Sequence, residues 1–151
     1  MKNTVLLLAL AFLMVACDSK KYNATSSIKM KKDPCFGFCP VYIFTIDGTG
    51  SATFNGERNV DKEGNWTRTL SPEETSALFQ AFGNAKFWDF EEEYTDSMTD
   101  LPTTWITFSH QGQTKTIKDY YGAPEALKNL EKMVEDIAES GEGWELISTQ
   151  Q

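Results

Sequence analysis

From residue 28 onward the hydrophobic positions switch from strand to helix period twice, in the same order each time. Val41 to Ile46 is β-branched and aromatic, which predicts a strand. Asp47-Gly48-Thr49-Gly50 reads as a tight turn, and Ser51 to Phe54 returns as the partner strand. Asn55-Gly56 marks a further turn, with room for a short extra strand from Glu57 to Val60 and a polar loop from Asp61 to Asn65. Ser71-Pro72-Glu73-Glu74 starts a helix: a capping hydroxyl, a proline preset for the first turn, and a glutamate three residues after the cap. Leu78, Phe79 and Phe82 share one face of that helix.

The second half repeats the pattern. Thr103 to Ser109 predicts a strand, His110-Gln111-Gly112-Gln113 a turn, and Thr114 to Lys118 its return. Pro124 opens a second helix with Leu127, Leu130, Met133, Val134 and Ile137 on one face, and Gly141 ends it. The order ββαββα predicts a two-layer α+β domain: an antiparallel sheet of two hairpins, with at most one short extra strand, under two helices on one face. Trp144, Leu146 and Ile147 are expected to tuck the C-terminus onto the body. Val41 to Ile46 is apolar on both faces. It is therefore either a central strand with a cover, for which the Cys35–Cys39 loop is a candidate, or a binding face.

The N-terminus departs from this pattern. Lys2 precedes an apolar run, Val5 to Ala16, that is too short to span a bilayer but fits the apolar core of an export signal. The run stops at Cys17, behind Met14-Val15-Ala16, and here the sequence resembles a bacterial lipoprotein. The resemblance implies that residues 1–16 are a signal peptide, that Cys17 is acylated, and that 17–27 is a lipidated tether. Residues 28–151 then form one α+β domain in the cell envelope, with the membrane leaflet open. Met14 stands where leucine is usual in such signals.

Charge sharpens this division. The chain of 151 residues has 14 basic and 22 acidic side chains, a poor basis for nucleic-acid binding. Residues 17–32 hold five lysines against Asp18 alone, net +4, whereas 33–151 hold 8 basic and 21 acidic residues, net −13. Lysines near an anionic bilayer each contribute about 1 kcal/mol of attraction.

The sharpest local motif is Asp33-Pro34-Cys35-Phe36-Gly37-Phe38-Cys39-Pro40-Val41-Tyr42. With Cys17 acylated, Cys35 and Cys39 remain as an even pair, and a disulfide is the default in an oxidising compartment. Two other chemistries use the same residues. Dithiol exchange normally has two intervening residues and a helix behind them, whereas here there are three and a strand. Copper binding would take both thiolates with His110, the single histidine.

The same segment is similar to the opening of a bacterial envelope family, domain of unknown function 6438. The likeness runs on through Asp47-Gly48, Asn55-Gly56, the helix start at Ser71, then Tyr94, Asp100, Pro102, Gly122, Pro124 and Leu127, over roughly residues 28–139. It implies an exported, often lipid-anchored domain and brings no activity with it.

Asp89, Glu91, Glu92, Glu93, Asp96 and Asp100, with neighbouring hydroxyls, are hard-oxygen candidates for calcium or for acid–base hydrolysis, although no EF-hand spacing is present. Asp61-Lys62-Glu63-Gly64-Asn65 is a second such stretch. His110 beside Ser109 sits in a turn, without a nucleophile elbow or a phosphate-cradling glycine loop. Phe36, Phe38, Tyr94, Trp105, Tyr120 and Tyr121 fall in loops or at strand ends and would form a patch for a protein or glycan if clustered. The expected function is thus a lipid-anchored, non-catalytic envelope module without a cofactor. Its partners are the membrane, through Cys17, and an envelope protein or glycan.

Overall fold

The computed structural model describes residues 22–97 and 100–149. In chain order the elements are β1 (Ser27–Lys32), β2 (Val41–Asp47), β3 (Ser51–Arg58), β4 (Gly64–Thr69), α1 (Pro72–Asn84) and a short 3-10 turn (Phe87–Asp89). They continue with β5 (Glu93–Tyr94), β6 (Thr104–His110), β7 (Gln113–Asp119), α2 (Glu125–Glu139) and β8 (Glu145–Ser148). The strands form one sheet in the order β5-β7-β6-β1-β2-β3-β4-β8. All pairs are antiparallel except β5 with β7.

This corrects the expected ββαββα sheet of two hairpins, which becomes an eight-stranded mixed sheet with two helices. The main reason is β1. Its sequence Ser-Ile-Lys-Met-Lys-Lys has only two apolar residues, too few to stand out from a lysine-rich leash. They alternate correctly, however, and Ile28 and Met30 are fully buried while Lys29 and Lys31 face water. Met30 lies opposite Phe44 on one side and Ile106 on the other, so β1 joins the two hairpins into one sheet.

The second reason is Gly56. Asn55-Gly56 does not turn the chain: β3 continues to Arg58, and the reversal comes at Asn59, which holds φ 57°. Glycine is required at 56 because any Cβ there would overlap the Lys62 carbonyl oxygen across the β3–β4 pair. The polar stretch read as a loop therefore passes into β4, which pairs Trp66 with Phe54. Beyond it, β8 forms an edge strand. Trp144 packs edge-on against Phe44 and Phe54, but Leu146 and Ile147 are exposed on that edge.

One face of the sheet forms the core. Ile28, Met30, Tyr42, Phe44, Ile46, Phe54, Ile106 and Phe108 pack against Leu78, Phe79 and Phe82 of α1 and Leu127, Leu130 and Val134 of α2. Helix α1 starts where its signals predict: Ser71 Oγ accepts from the Glu74 amide, and the Glu74 carboxylate accepts from the Ser71 amide. That bonding to Ser71 holds the Glu74 carboxyl below its usual range. On α2, Met133 faces water instead of the core, and its place on the buried face is taken by Glu131. The opposite sheet face bears Lys29, Lys31, Thr45, Thr53 and Thr107 in register, with Ile43 between Lys31 and Asn55. The cysteine loop does not cover Ile43, which is 37% exposed.

The residues just before β1 are packed on the body. Tyr22 is 6% exposed, with its ring 5.0 Å from Phe79 and 4.9 Å from His110. The Gly48 amide donates to the carbonyls of Asn23 and Ser26. Chain leading into the sheet is therefore fixed from Tyr22 onward. Cys17 and the leader lie outside the described residues.

Candidate functional site

Three places concentrate unusual chemistry. The first is the ring at the far end of β1. Cys35 and Cys39 are disulfide-bonded, with Cα atoms 5.7 Å apart. Pro34 and Pro40 flank the ring, the Gly37 amide donates to the Cys35 carbonyl, and the Asn59 side-chain amide donates to the Cys39 carbonyl. At the base, Asp33 accepts from Trp105 Nε1 at 2.6 Å and pairs with Lys31 at 2.6 Å. Phe36 is 90% exposed and Phe38 94% exposed. Folding normally removes such side chains from water, worth roughly 1.5–3 kcal/mol each. Here neither ring contributes to the core.

The second is a cavity of about 170 Å³ beside the ring, lined by Pro40, Phe54, Asn59, Val60, Asp61, Lys62 and Glu139. Lys62 lies over the Phe54 and Trp144 rings and donates to the Ser140 carbonyl at 2.8 Å, tying α2 to the β3–β4 reversal. Burial pushes its ammonium below the usual lysine value, against the opposing pull of Asp61. Tyr42 donates to Glu139 at 3.1 Å. Burial, and then the charges of Glu139 and Glu135, push the Tyr42 hydroxyl far up, so it stays a donor.

The third is a groove of about 410 Å³ between α2 and the β6–β7 end, whose lining includes Asp119, Tyr120, Lys128, Glu131 and Glu135. The side chain of Asp119 is 0% exposed and that of Glu131 5%. Both carboxylates pair with Lys128, yet one oxygen of each is buried with no ordinary donor. Burial first, and Asp119 next, push Glu131 up to about 8. Burial works to lower Lys128, but its bonds to Asp119 and Glu131 outweigh that and hold it above its ordinary value. Through Lys128 the cluster fastens α2 to β7. Sequence reading missed it. The available signal was an acid at 131, four residues after Leu127 and three before Val134, on an apolar helix face.

The other sequence candidates do not converge. Ser27 pairs with Ser109, so His110 lies at the start of β1 while Cys35 and Cys39 follow its end. The copper triad is thus split across the length of the sheet. His110 is instead bonded through Nδ1 to Ser26 Oγ at 2.9 Å and stacked on Phe108. In the acidic run, Glu93 pairs with Lys118, and Asp96 binds the backbone and hydroxyl of Ser97. Among the described residues no three His, Cys, Asp or Glu side chains are grouped to hold a metal ion. Neither of the two cavities is lined by a residue of 89–100. Of the six loop aromatics, Tyr94 packs on the core, Trp105 donates to Asp33, the Tyr120 hydroxyl accepts from the Leu101 amide, and Phe36, Phe38 and Tyr121 are exposed.

Fold and site together define a one-sheet, two-layer α+β domain with a disulfide-closed aromatic ring at one end. The chain belongs to the family described as Domain of unknown function (DUF6438), which matches residues 26–138. That span runs from the serine bonded to His110 to the last buried residue of α2. Comparison with curated proteins returns no match. Among the described residues, no helix is long and apolar enough to cross a membrane.

Proposed function

We propose that this is a lipid-anchored binding module of the bacterial cell envelope, acylated at Cys17 and without catalytic chemistry of its own. The observation that carries the binding role is the ring. A five-residue disulfide loop holds two phenylalanines in water at almost full exposure, while seven other aromatic side chains of the domain are completely buried. A preformed loop loses little conformational freedom on docking, so the apolar area it buries converts efficiently into affinity. The anchor is supported by the apolar run ending at Cys17 and by the lysines that follow it.

The anchor is tested by feeding an alkyne-tagged fatty acid to cells expressing the full chain or Cys17→Ser. Label on the wild type and none on C17S, with C17S released from the membrane fraction, is the expected result. An unlabelled wild-type chain overturns the anchor. Binding is tested by sedimenting gently solubilised envelopes: the F36S/F38S chain should run as a smaller species than the wild type.

A further inference from the structure

We infer that the Phe36–Phe38 ring faces away from the bilayer and inserts into an apolar cleft of a second envelope protein, one that also offers a basic side chain to the cavity beside the ring. The orientation rests on the lipid-anchor reading; the docking surface rests on the ring itself.

Five Cα steps separate Cys17 from Tyr22, a reach of at most about 17 Å. Tyr22 is fixed at the end of the sheet where β1 begins, beside His110 and the β2–β3 turn. Strand β1 then carries the chain about 17 Å the other way, and the ring lies beyond it. The lipid and the phenylalanines are therefore attached to opposite ends of the sheet. Charge decides between standing and lying. The described body holds 11 basic and 21 acidic residues, with Lys29, Lys31 and Lys32 in β1, whereas the residues leading into it carry Lys20 and Lys21 against Asp18. An anionic surface attracts the lysines and repels the body over a screening length of about 8 Å. The domain stands on its tether with the ring outward, and the ring's occupant is a protein rather than the domain's own membrane.

The chemistry of that protein follows from the surroundings of the ring. Phe36 and Phe38 flank Gly37, and neither touches the domain's core, so both are available to one cleft. Beside them, Asp61 and Glu139 line the cavity over Phe54 and Val60. Lys62, which shares it, donates to the Ser140 carbonyl and offsets one of these charges, and Glu139 accepts from Tyr42. The remaining negative charge over an aromatic floor suits an arginine or lysine from the partner's rim.

The test uses the full lipidated chain in its native envelope, with a photoreactive phenylalanine analogue at position 36 and, as control, at Thr53 on the open sheet face. Position 36 should give one discrete protein adduct and position 53 none. Excess lipid-free C17S chain should compete the adduct away. C17S chain also carrying F36S/F38S should need at least about 30-fold more, and C17S with D61N several-fold more. Unchanged thermal unfolding of these competitors shows that they are folded, since the substituted side chains are exposed. Adducts of phospholipid mass, equal competition by F36S/F38S, or no adduct at all overturn the proposal. If C17S fractionates as the wild type does, the anchor reading and the outward orientation fall, while the competition result still decides whether the ring docks.

Discussion

Glu131 of α2 and Asp119 of β7 are both buried against a single ammonium, that of Lys128. The native Glu131 value of about 8 lies above the ordinary 4.5, so the folded state holds a proton that the unfolded state releases. The associated stability is fully present below about 4.5, falls as pH rises, and is gone above about 8. Thermal unfolding between pH 5 and 9 should show this decline, amounting to a few kcal/mol. Glu131→Gln should flatten the profile and unfold at a higher temperature than the wild type at pH 9. An equally steep profile in E131Q would mean that Glu131 is not its source.

Tyr22 behaves as a core residue. Replacing it with Ala should cost about 2–3 kcal/mol, because its ring fills space between Phe79 and His110. Urea unfolding of Tyr22→Ala measures this. A loss below about 0.5 kcal/mol, as at a free terminus, would mean that the segment is not fixed there.

The capping box of α1 gives a smaller effect. Ser71→Ala loses the acceptor for the Glu74 amide and should lower stability by about 1 kcal/mol, or roughly 4 °C in Tm. Ser71→Asp should restore most of it, since aspartate caps equally well. Calorimetry of the two variants separates loss of the cap from loss of packing.

Gly56→Ala should be the most damaging of these changes, at about 3 kcal/mol or more, since the added carbon meets backbone across a strand pair. Gly141→Ala, whose Cβ would meet open space, should fall within about 0.5 kcal/mol of the wild type. Denaturant midpoints of the two, compared directly, check the close approach.

Opening the ring separates stability from docking. The Cys35→Ser, Cys39→Ser chain should lose about 2 kcal/mol by loop entropy and keep its near-ultraviolet aromatic signal, because the ring's phenylalanines lie outside the core. Loss of the folded signal at room temperature would show that the disulfide holds more than its own loop.

Legibility in the sequence followed the local strength of each signal. Helix α1 is written in four consecutive residues, each favouring the same start. Helix α2 is clear in period, but the period does not say which of Met133 and Glu131 points inward; tertiary charge pairing decides that. Strand β1 carries two apolar residues among lysines, and it becomes central only because Phe44 and Ile106 bracket Met30 from distant parts of the chain. Asn55-Gly56 has the letters of a turn, while its glycine answers to a close backbone approach that no local pattern records. The cysteine motif was visible as a unit. Its two phenylalanines were legible as loop aromatics, but a loop position does not say which of these stay in water, as Phe36 and Phe38 do, and which pack on the core, as Tyr94 does.

The placement of β1 also sets the order in which the domain can assemble. Its hydrogen-bonding partners are β2, next in the chain, and β6, whose Ser109 meets Ser27. A chain emerging N-terminus first can zip β1 to β2 and β3 at once, but the other edge of β1 stays unsatisfied until the sixth strand arrives. For that interval a half-built sheet exposes the backbone of what will be its middle, and such non-local closure is slow. The two lysines facing water on β1 then act as gatekeepers, placing charge on the one edge where a premature neighbour would otherwise add.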